Sequence, residues 1–348
     1  MQTQRIGFDG IIESEWHSLL QRSVVDTIFQ THMWSKTWWD VFQNGLEQHL
    51  VTVHDDGELI AIFPLYTASD ISQDGDKKIA RLMGGLDVTD YQAPIVVSGR
   101  EQESFDALVG YAKQQGWHEI ELNHIPEVGG QVPYASSKYP GRPQLNGGGE
   151  VEYIQAVDLG SITAYEDYMK SLRGKDRHEM ERKIRRLEER NHSYHTINSM
   201  EEVEAGIREL VELMEFDPRK KAFFEEDSRR RDFFYGVAKA ATEKGWLRLS
   251  LLDIDCVARA GLLCFDYWTR VGNHRFRELA AYNSGLNIKW LEANKNLGLN
   301  VALFLEAIRH AVENGFSIFN FLRGNEPYKG GYVAQPANLY SVRVQLQS

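Results

Sequence analysis

Cysteine is nearly absent: Cys256 and Cys264 are the only two in 348 residues. Two thiols build neither a disulfide framework nor a thiolate zinc centre. Eight apart on one expected strand, they read as small core residues. Histidines are scattered, and no spacing among them suits a metal, so none is expected. No run approaches the roughly 18 apolar residues that span a bilayer. The N-terminus lacks a basic stretch followed by an apolar one, which argues against a secretory signal. The expectation is a cytoplasmic protein without stable membrane insertion. Positive charge is also scarce. A formal net charge of −11 argues against DNA as a partner. There is no Ser-His-Asp or Cys-His order, no dinucleotide fingerprint and no P-loop.

What is present is a well-packed globular composition, 42% hydrophobic with eight Trp. Of nine prolines, Pro126, Pro133, Pro140 and Pro143 crowd into 126–150, together with Gly129, Gly130 and Gly147-Gly148-Gly149. That crowding marks a boundary and divides the chain into 1–150 and 151–348. The second part predicts helices near 163–190, broken at Gly174, and near 199–215 and 228–244. Thr163-x-x-Glu166 and Ser199-x-x-Glu202 have the pattern of capping boxes. Strands near 193–197, 246–252, 257–268, 275–283, 317–323 and 338–346 join a helix near 300–314.

The first part repeats this order, with helices near 14–22, 35–44 and 101–115 and strands near 48–54, 58–66, 77–83 and 117–123. Ala112 through Gly116 to Ile120 aligns with Ala311 through Gly315 to Phe319, a constant separation of 199. The fold class is therefore α/β, built from two similar halves of mixed sheet flanked by helices.

One stretch carries the chemistry. Phe319 to Leu322 reads as a buried strand that stops at Gly324, and Glu326, Tyr328 and Lys329 follow at once. Polar groups gathered at a strand end are where α/β sheets keep their sites. Before that strand, Val301, Phe304, Leu305, Ile308, Ala311 and Val312 form one apolar stripe, with Asn300 as the cap and Gly315 as the stop.

These residues resemble a known family. Tyr282-Asn283-Ser284-Gly285, Gly298 before the helix, and Phe321-Leu322-Arg323-Gly324 with Glu326-Pro327-Tyr328-Lys329 resemble the C-terminal signature of the FemAB-like branch of the GNAT acyltransferases. That branch includes the CelD-type proteins of bacterial exopolysaccharide clusters. Phe29 to Trp34, Ile62 to Leu65, and Met83-Gly84-Gly85 through Asp90-Tyr91 are similar to its N-terminal half. The basic stretch Arg173 to Arg186 is similar to its central helix. Asn320 and Asn325 depart from the pattern, standing where Asp is expected. Leu297 replaces a usual Pro, and the loop between Gly285 and Gly298 is about two residues longer.

The resemblance implies tandem GNAT-like halves in the FemAB-like arrangement. It implies acetyl-CoA or another acyl-CoA as co-substrate, with Lys295, Asn296, Leu297, Gly298, Leu299 and Asn300 at the donor's phosphates. A helix N-terminus suits such an anion through its N–H groups and dipole. Lys329 becomes the residue that meets developing negative charge, Tyr328 the proton donor to the leaving thiolate, and Glu326 the base. A lysine here is expected to be exposed, so its loss should cost turnover and not stability. Arg323, Asp90 and Tyr91 become contacts to the acceptor. Trp34 is the candidate for stacking on a sugar, although core packing explains most of Trp34, Trp38 and Trp39.

The expected reaction is acyl transfer, acetyl foremost, to an amine or hydroxyl of a small-molecule or saccharide-linked acceptor from the cell envelope or an exopolysaccharide. One alternative is an aminoacyltransferase with aminoacyl-tRNA as donor. The other is a non-catalytic component of a polysaccharide-producing complex. The segment Arg173 to Arg190 holds eight Lys/Arg against five Asp/Glu. That is enough for a solvated face or a local anion contact and few for tRNA.

Overall fold

A computed structural model describes residues 1–72, 75–85, 87–134, 144–145, 152–294 and 297–346. Its contacts divide it into two compact units. One comprises Met1–Ile154, Trp268–Arg275 and Ala337–Ser348, the other Gln155–Tyr267 and Phe276–Pro336. The Pro- and Gly-rich boundary at 126–150 lies largely outside the described residues.

In the first unit the chain runs β1 (Gln2–Ile6), α1 (Glu13–Leu20), β2 (Val25–Asp26), α2 (His32–Phe42), β3 (Glu47–Asp55), β4 (Glu58–Ser72), β5 (Gly75–Leu82), β6 (Ile95–Val96), α3 (Glu101–Gln114), β7 (Glu119–Pro126) and β8 (Gln144–Leu145). The meander is buried on both faces along its middle, with Leu50 and Ile62 enclosed as fully as their neighbours, and Val51, Val53, Phe63 and Leu65 share one core cluster. Phe105, Leu108 and Ala112 of α3 close on them at helical spacing. β1 is absent from the sequence expectation because Gln-Thr-Gln-Arg-Ile has no apolar alternation. It forms because β3 offers it an antiparallel partner, from Gln2 opposite His54 to Ile6 opposite Leu50.

The second unit takes β9 (Tyr153–Asp158), α4 (Tyr165–Ser171), α5 (Gly174–Glu188), β10 (His192–Ile197), α6 (Val203–Met214), α7 (Pro218–Glu226), α8 (Arg229–Glu243), β11 (Leu247–Ile254), β12 (Val257–Val271), β13 (His274–Leu286), α9 (Ile288–Ala293), α10 (Leu299–Glu313) and β14 (Ile318–Arg323). The tip of the β12–β13 hairpin counts with the first unit. So does most of β15 (Gln335–Gln345), which pairs antiparallel with β7. The last strand therefore does not complete the second half, where the sequence reading put it. The strand orders are β1-β3-β4-β5-β7-β15 and β10-β11-β12-β13-β14-β9.

The two units repeat each other in register. Val53 faces Ala61, the ladder slips, and His54 faces Leu59. Leu252 faces Ala260, the ladder slips, and Asp253 faces Ala258. Every number differs by 199, so even the β-bulge is duplicated. β5 and β7 run parallel over Ile79–Arg81 and Glu119–Glu121. β13 and β14 do so over Glu278–Ala280 and Ile318–Asn320, again 199 on.

Several local expectations are corrected. Ala164 caps α4, not Thr163, and without a side-chain bond. Ser199 spends its hydroxyl on Glu202 Oε2 at 3.0 Å, and the helix starts at Val203. Asn300 lies inside α10, whose cap is Gly298. Cys264 is buried, but Cys256 is exposed at a hairpin turn with φ 61. α7 and α9 went unseen, since each is short and narrowly amphipathic. Among the described residues no helix is long and apolar enough to cross a membrane.

Candidate active site

In the second unit, the ladder between β13 and β14 stops after Ala280 and Asn320. β13 runs on to Leu286 and β14 to Arg323 without further pairing to each other. The end of β14 is shaped by a buried polar chain. Asn320 Nδ2 donates to Glu278 Oε2 at 3.1 Å, and Leu322 N donates to Asn320 Oδ1 at 2.8 Å. That second bond holds Leu322 at φ 58, a left-handed backbone that a branched side chain seldom adopts. An amide suits position 320 for this reason. It donates to one buried group and accepts from another, whereas Asp would set a second carboxylate against Glu278.

The turn lets carbonyls converge. Lys329 Nζ donates to Arg323 O at 3.1 Å and to Leu322 O and Gly324 O at 3.4 Å. It also pairs with Glu326 Oε2 at 2.9 Å. Its side chain is only 3% exposed. The expectation of an exposed Lys329 is thus wrong. Its ammonium fills the concavity where a metal cation would otherwise suit the oxygens, and this ties the strand end together. Gly324 leaves room for the pair, because a Cβ there would stand 2.2 Å from Glu326 Oε2. Arg323 is partly exposed and contributes its carbonyl to the clamp.

Tyr328 lies on the 3-10 turn Pro327–Tyr332 and stacks on Phe304 at 5.8 Å between ring centroids. Tyr328 is 42% exposed, and the partial enclosure of its ring, helped by Glu326, raises the phenol above its usual range. A phenol so raised keeps its proton and acts on a thiolate as a hydrogen-bond donor more readily than as an acid.

Beside it, α10 begins at Leu299 with no side-chain cap and no acid in its first turn. Its first N–H groups and the helix dipole favour an anion. Gly298 is required by a close approach: a Cβ there would meet Lys183 Cδ at 2.5 Å. Lys183 of α5 therefore lies along the helix start. A cavity of about 660 Å³ opens next to it, lined by Arg186 of α5, by Arg190 just past that helix, and by Asn294 and Leu297, with the carboxylates of Glu189 and Glu292 also on its wall. Arg186 Nη1 is buried there without a hydrogen-bond partner among the described residues. A smaller cavity of about 220 Å³ joins Lys183, Asn300, Tyr328 and Tyr332. Lys295 and Asn296, two of the expected phosphate contacts, lie outside the described residues.

The structure thus gathers Leu297, Gly298, Leu299, Asn300, Glu326, Tyr328 and Lys329 in one unit. It treats the N-terminal candidates differently. Trp34 is fully buried, donates to Thr89 Oγ1 at 2.9 Å and packs edge-on to Phe29. A ring enclosed in this way has no face for a sugar. Tyr91 is likewise buried, 5.4 Å from Phe29. Asp90 is partly exposed. The sequence reading held Lys183 and Arg186 only as part of a basic stretch suited to an anion, without singling them out, and missed Lys220. The spacing 183, 186, 190 along one helical face was the available signal for the first two.

Residues 174–330 match the acetyltransferase (GNAT) domain family. That stretch is a GNAT acyltransferase domain. Several solved structures share the fold of the whole chain. FemX covers 99% of this chain over 97% of its own, with 11% identity and a TM-score of 0.58. A tandem GNAT protein from the clavulanic acid biosynthesis pathway, solved without AcCoA, covers 100% over 99%, at 9% identity and TM-score 0.52. The C-terminal domain of a putative lysylphosphatidylglycerol synthetase from Agrobacterium fabrum covers 94% over 92%, at 10% identity and TM-score 0.51. No curated protein matches the sequence. The whole chain thus has the tandem GNAT fold, and the match to the acetyltransferase domain family falls within its second unit.

Proposed function

We propose that the second unit transfers an acyl group from acyl-CoA, acetyl-CoA foremost, to an amine or hydroxyl of a saccharide-linked or other cell-envelope acceptor. The observation that carries the reading is the uncapped start of α10. It lacks any acid of its own, has Lys183 along it, and opens on a cavity that holds the unpartnered Arg186 Nη1. A pyrophosphate would find N–H donors, a helix dipole and two cations there. The thioester would lie along β13 past Ala280, where backbone N–H groups can polarise its carbonyl. Tyr328 would steady the departing thiolate, and Arg323 would face the acceptor. Lys329 would hold the strand end in shape and act as a positioning residue.

Calorimetry with acetyl-CoA tests the donor. Binding should also raise the melting temperature, by about 2.7 kcal/mol of stabilisation at a hundred times Kd. No heat and no thermal shift at saturating acetyl-CoA would overturn the reading. Aminoacyl-tRNA as donor is the second reading. It is supported by the exposed Arg173, Lys175, Arg182, Arg185 and Arg190 of the α5 segment. Binding of tRNA but not of acetyl-CoA would favour it.

A further inference from the structure

α6 and α7 close on the unpaired end of β13. Gly285 permits this, since a Cβ there would come 2.7 Å from Leu213 Cβ and 2.8 Å from Met214 N. α6 ends at Met214, and Asp217 caps α7 by accepting from Arg219 N at 2.9 Å. The next residue, Lys220, reaches back and donates from Nζ to the carbonyl of Ser284. Ser284 lies four residues past Ala280, the last residue of β13 paired with β14. Lys220 also feels the carboxylate of Glu326, six residues past Asn320 at the end of the other strand. Its amine is thus held at Ser284, on the stretch of β13 that has left β14, within range of the Glu326 charge. Burial favours its neutral form and Arg219 adds to this. Asp217 and Glu326 oppose, and the net effect lowers its pKa. Glu326, by contrast, is engaged with Lys329 at 2.9 Å.

We propose that Lys220 is the proton acceptor of the acyl transfer, taking the proton of the acceptor's amine or hydroxyl as that group attacks the thioester carbonyl. This rests on the acyl-CoA reading. One bond forms, from the acceptor's nitrogen or oxygen to the acyl carbon, and the carbon–sulfur bond breaks. The proton lost by the acceptor goes to Lys220 Nζ and from there, through water, to the CoA thiolate. Lys220 returns neutral, and Tyr328 keeps its own proton throughout. Of the two lysines near the strand end, only Lys220 can serve. Lys329 is enclosed by carbonyls that stabilise its charge, whereas Lys220 has one carbonyl and a desolvated amine.

The test begins with the intact protein and trace acetic anhydride across a pH series, with each lysine's modification read by mass spectrometry. Lys220 should reach half-reaction at a lower pH than the exposed lysines of the same chain. Titration together with those lysines would overturn the proposal. Failure to react at any pH would do the same, because a base that a small anhydride cannot reach cannot meet an acceptor. Acetyl-CoA binding by calorimetry, run in parallel on wild type and Lys220→Met, isolates the donor reading. If wild type fails to bind, that reading fails, and the labelling still decides the state of Lys220.

Turnover is then followed as CoA release from acetyl-CoA with glucosamine as the probe acceptor. Lys220→Met should lose at least about a hundredfold and the rising limb of the pH profile, with Kd for acetyl-CoA kept within about threefold. Lys220→Arg keeps the donor to Ser284 O and cannot take a proton. It should remain as slow as Lys220→Met, and recovery of wild-type turnover in it would reduce Lys220 to a structural strut.

Discussion

Residues 101 and 300 occupy the same place in two copies of one design. α3 and α10 each follow a meander with a bulge at matched positions and connect the two strands of a three-pair parallel ladder. Neither helix start has a side-chain cap, but the first turn of α3 holds Glu101 and Glu103, so carboxylates already sit at the positive end of its dipole. At the start of α10 the residue matching Glu101 is Asn300, and the first turn holds no acid. The strand ends differ in the same sense. After β5 the chain folds back over its own sheet, with Met83 N on Pro64 O at 2.8 Å and Gln92 N on His124 O at 3.1 Å. Thr89 bridges Trp34 and Gly84 within that loop. After Ala280, β13 continues to Leu286 and leaves its parallel partner. One copy has spent its anion site and its crevice on self-packing, and the other keeps both open. Duplication supplied the frame, and a few side chains decided which copy could take a ligand.

The largest break in this comparison should come from Lys329→Met. The first unit has Gly130 at the matched position and no lysine clamp. In the second unit the substitution strands three carbonyls. Glu326 is 53% exposed and can be solvated, so the cost comes from the carbonyls left without a donor, about 1–3 kcal/mol, and urea unfolding should show a loss of that order. An unchanged midpoint would return Lys329 to the surface-lysine reading.

Acid should act next. His49 of the first unit is fully buried, and burial with help from Arg5 lowers its pKa to about 4. Its neutral form is the folded one. As pH falls below the ordinary value near 6.5, the unfolded chain gains a proton that the folded chain refuses. Stability therefore drops between about 6.5 and about 4 and then levels, by roughly 2–3 kcal/mol for this group. At the matched position the second unit has Arg248, paired with Glu306 at 2.8 Å, which stays charged across that window. Its acid response comes instead from His310, lowered by burial to about 4. His49→Gln should flatten only part of the pH dependence. An unaltered profile would show that His49 is not held neutral.

A sharper comparison comes from making the two helix starts alike. Asn300→Glu copies Glu101 into α10 and should weaken acetyl-CoA binding at least about tenfold, close to 1.4 kcal/mol, while leaving the melting temperature level or slightly higher. Undiminished binding would remove the helix start from the donor site. The reverse change is the mildest. Glu101→Gln should cost about 0.3–1 kcal/mol of stability through the lost charge at the helix dipole, with acetyl-CoA affinity untouched.

Much of the frame was legible in the sequence, because it depends on periodicity. The stripe in 301–312, the apolar runs in 48–54 and 58–66 and the helix-Gly-strand junctions at Gly116 and Gly315 specify elements and their repeat by local chemistry alone. β1 was illegible, since its polar residues pair only because an edge is offered. β15 was recognised as a strand but not as the partner of β7. Nothing local in a strand names its neighbour.

The candidate site divides along the same line. The sequence by itself determined that a glycine, a carboxylate, a phenol and an ammonium follow a buried strand, and that an apolar helix with a Gly before it precedes them. Only the tertiary structure decided what each group faces. It turned Lys329 inward onto three carbonyls, buried Trp34 and Tyr91, and brought Lys220 from a separate helix to Ser284. Burial and charge proximity arise between segments distant in the chain, so the same residue types that announce a site cannot by themselves say which of them meets the ligand and which holds the backbone.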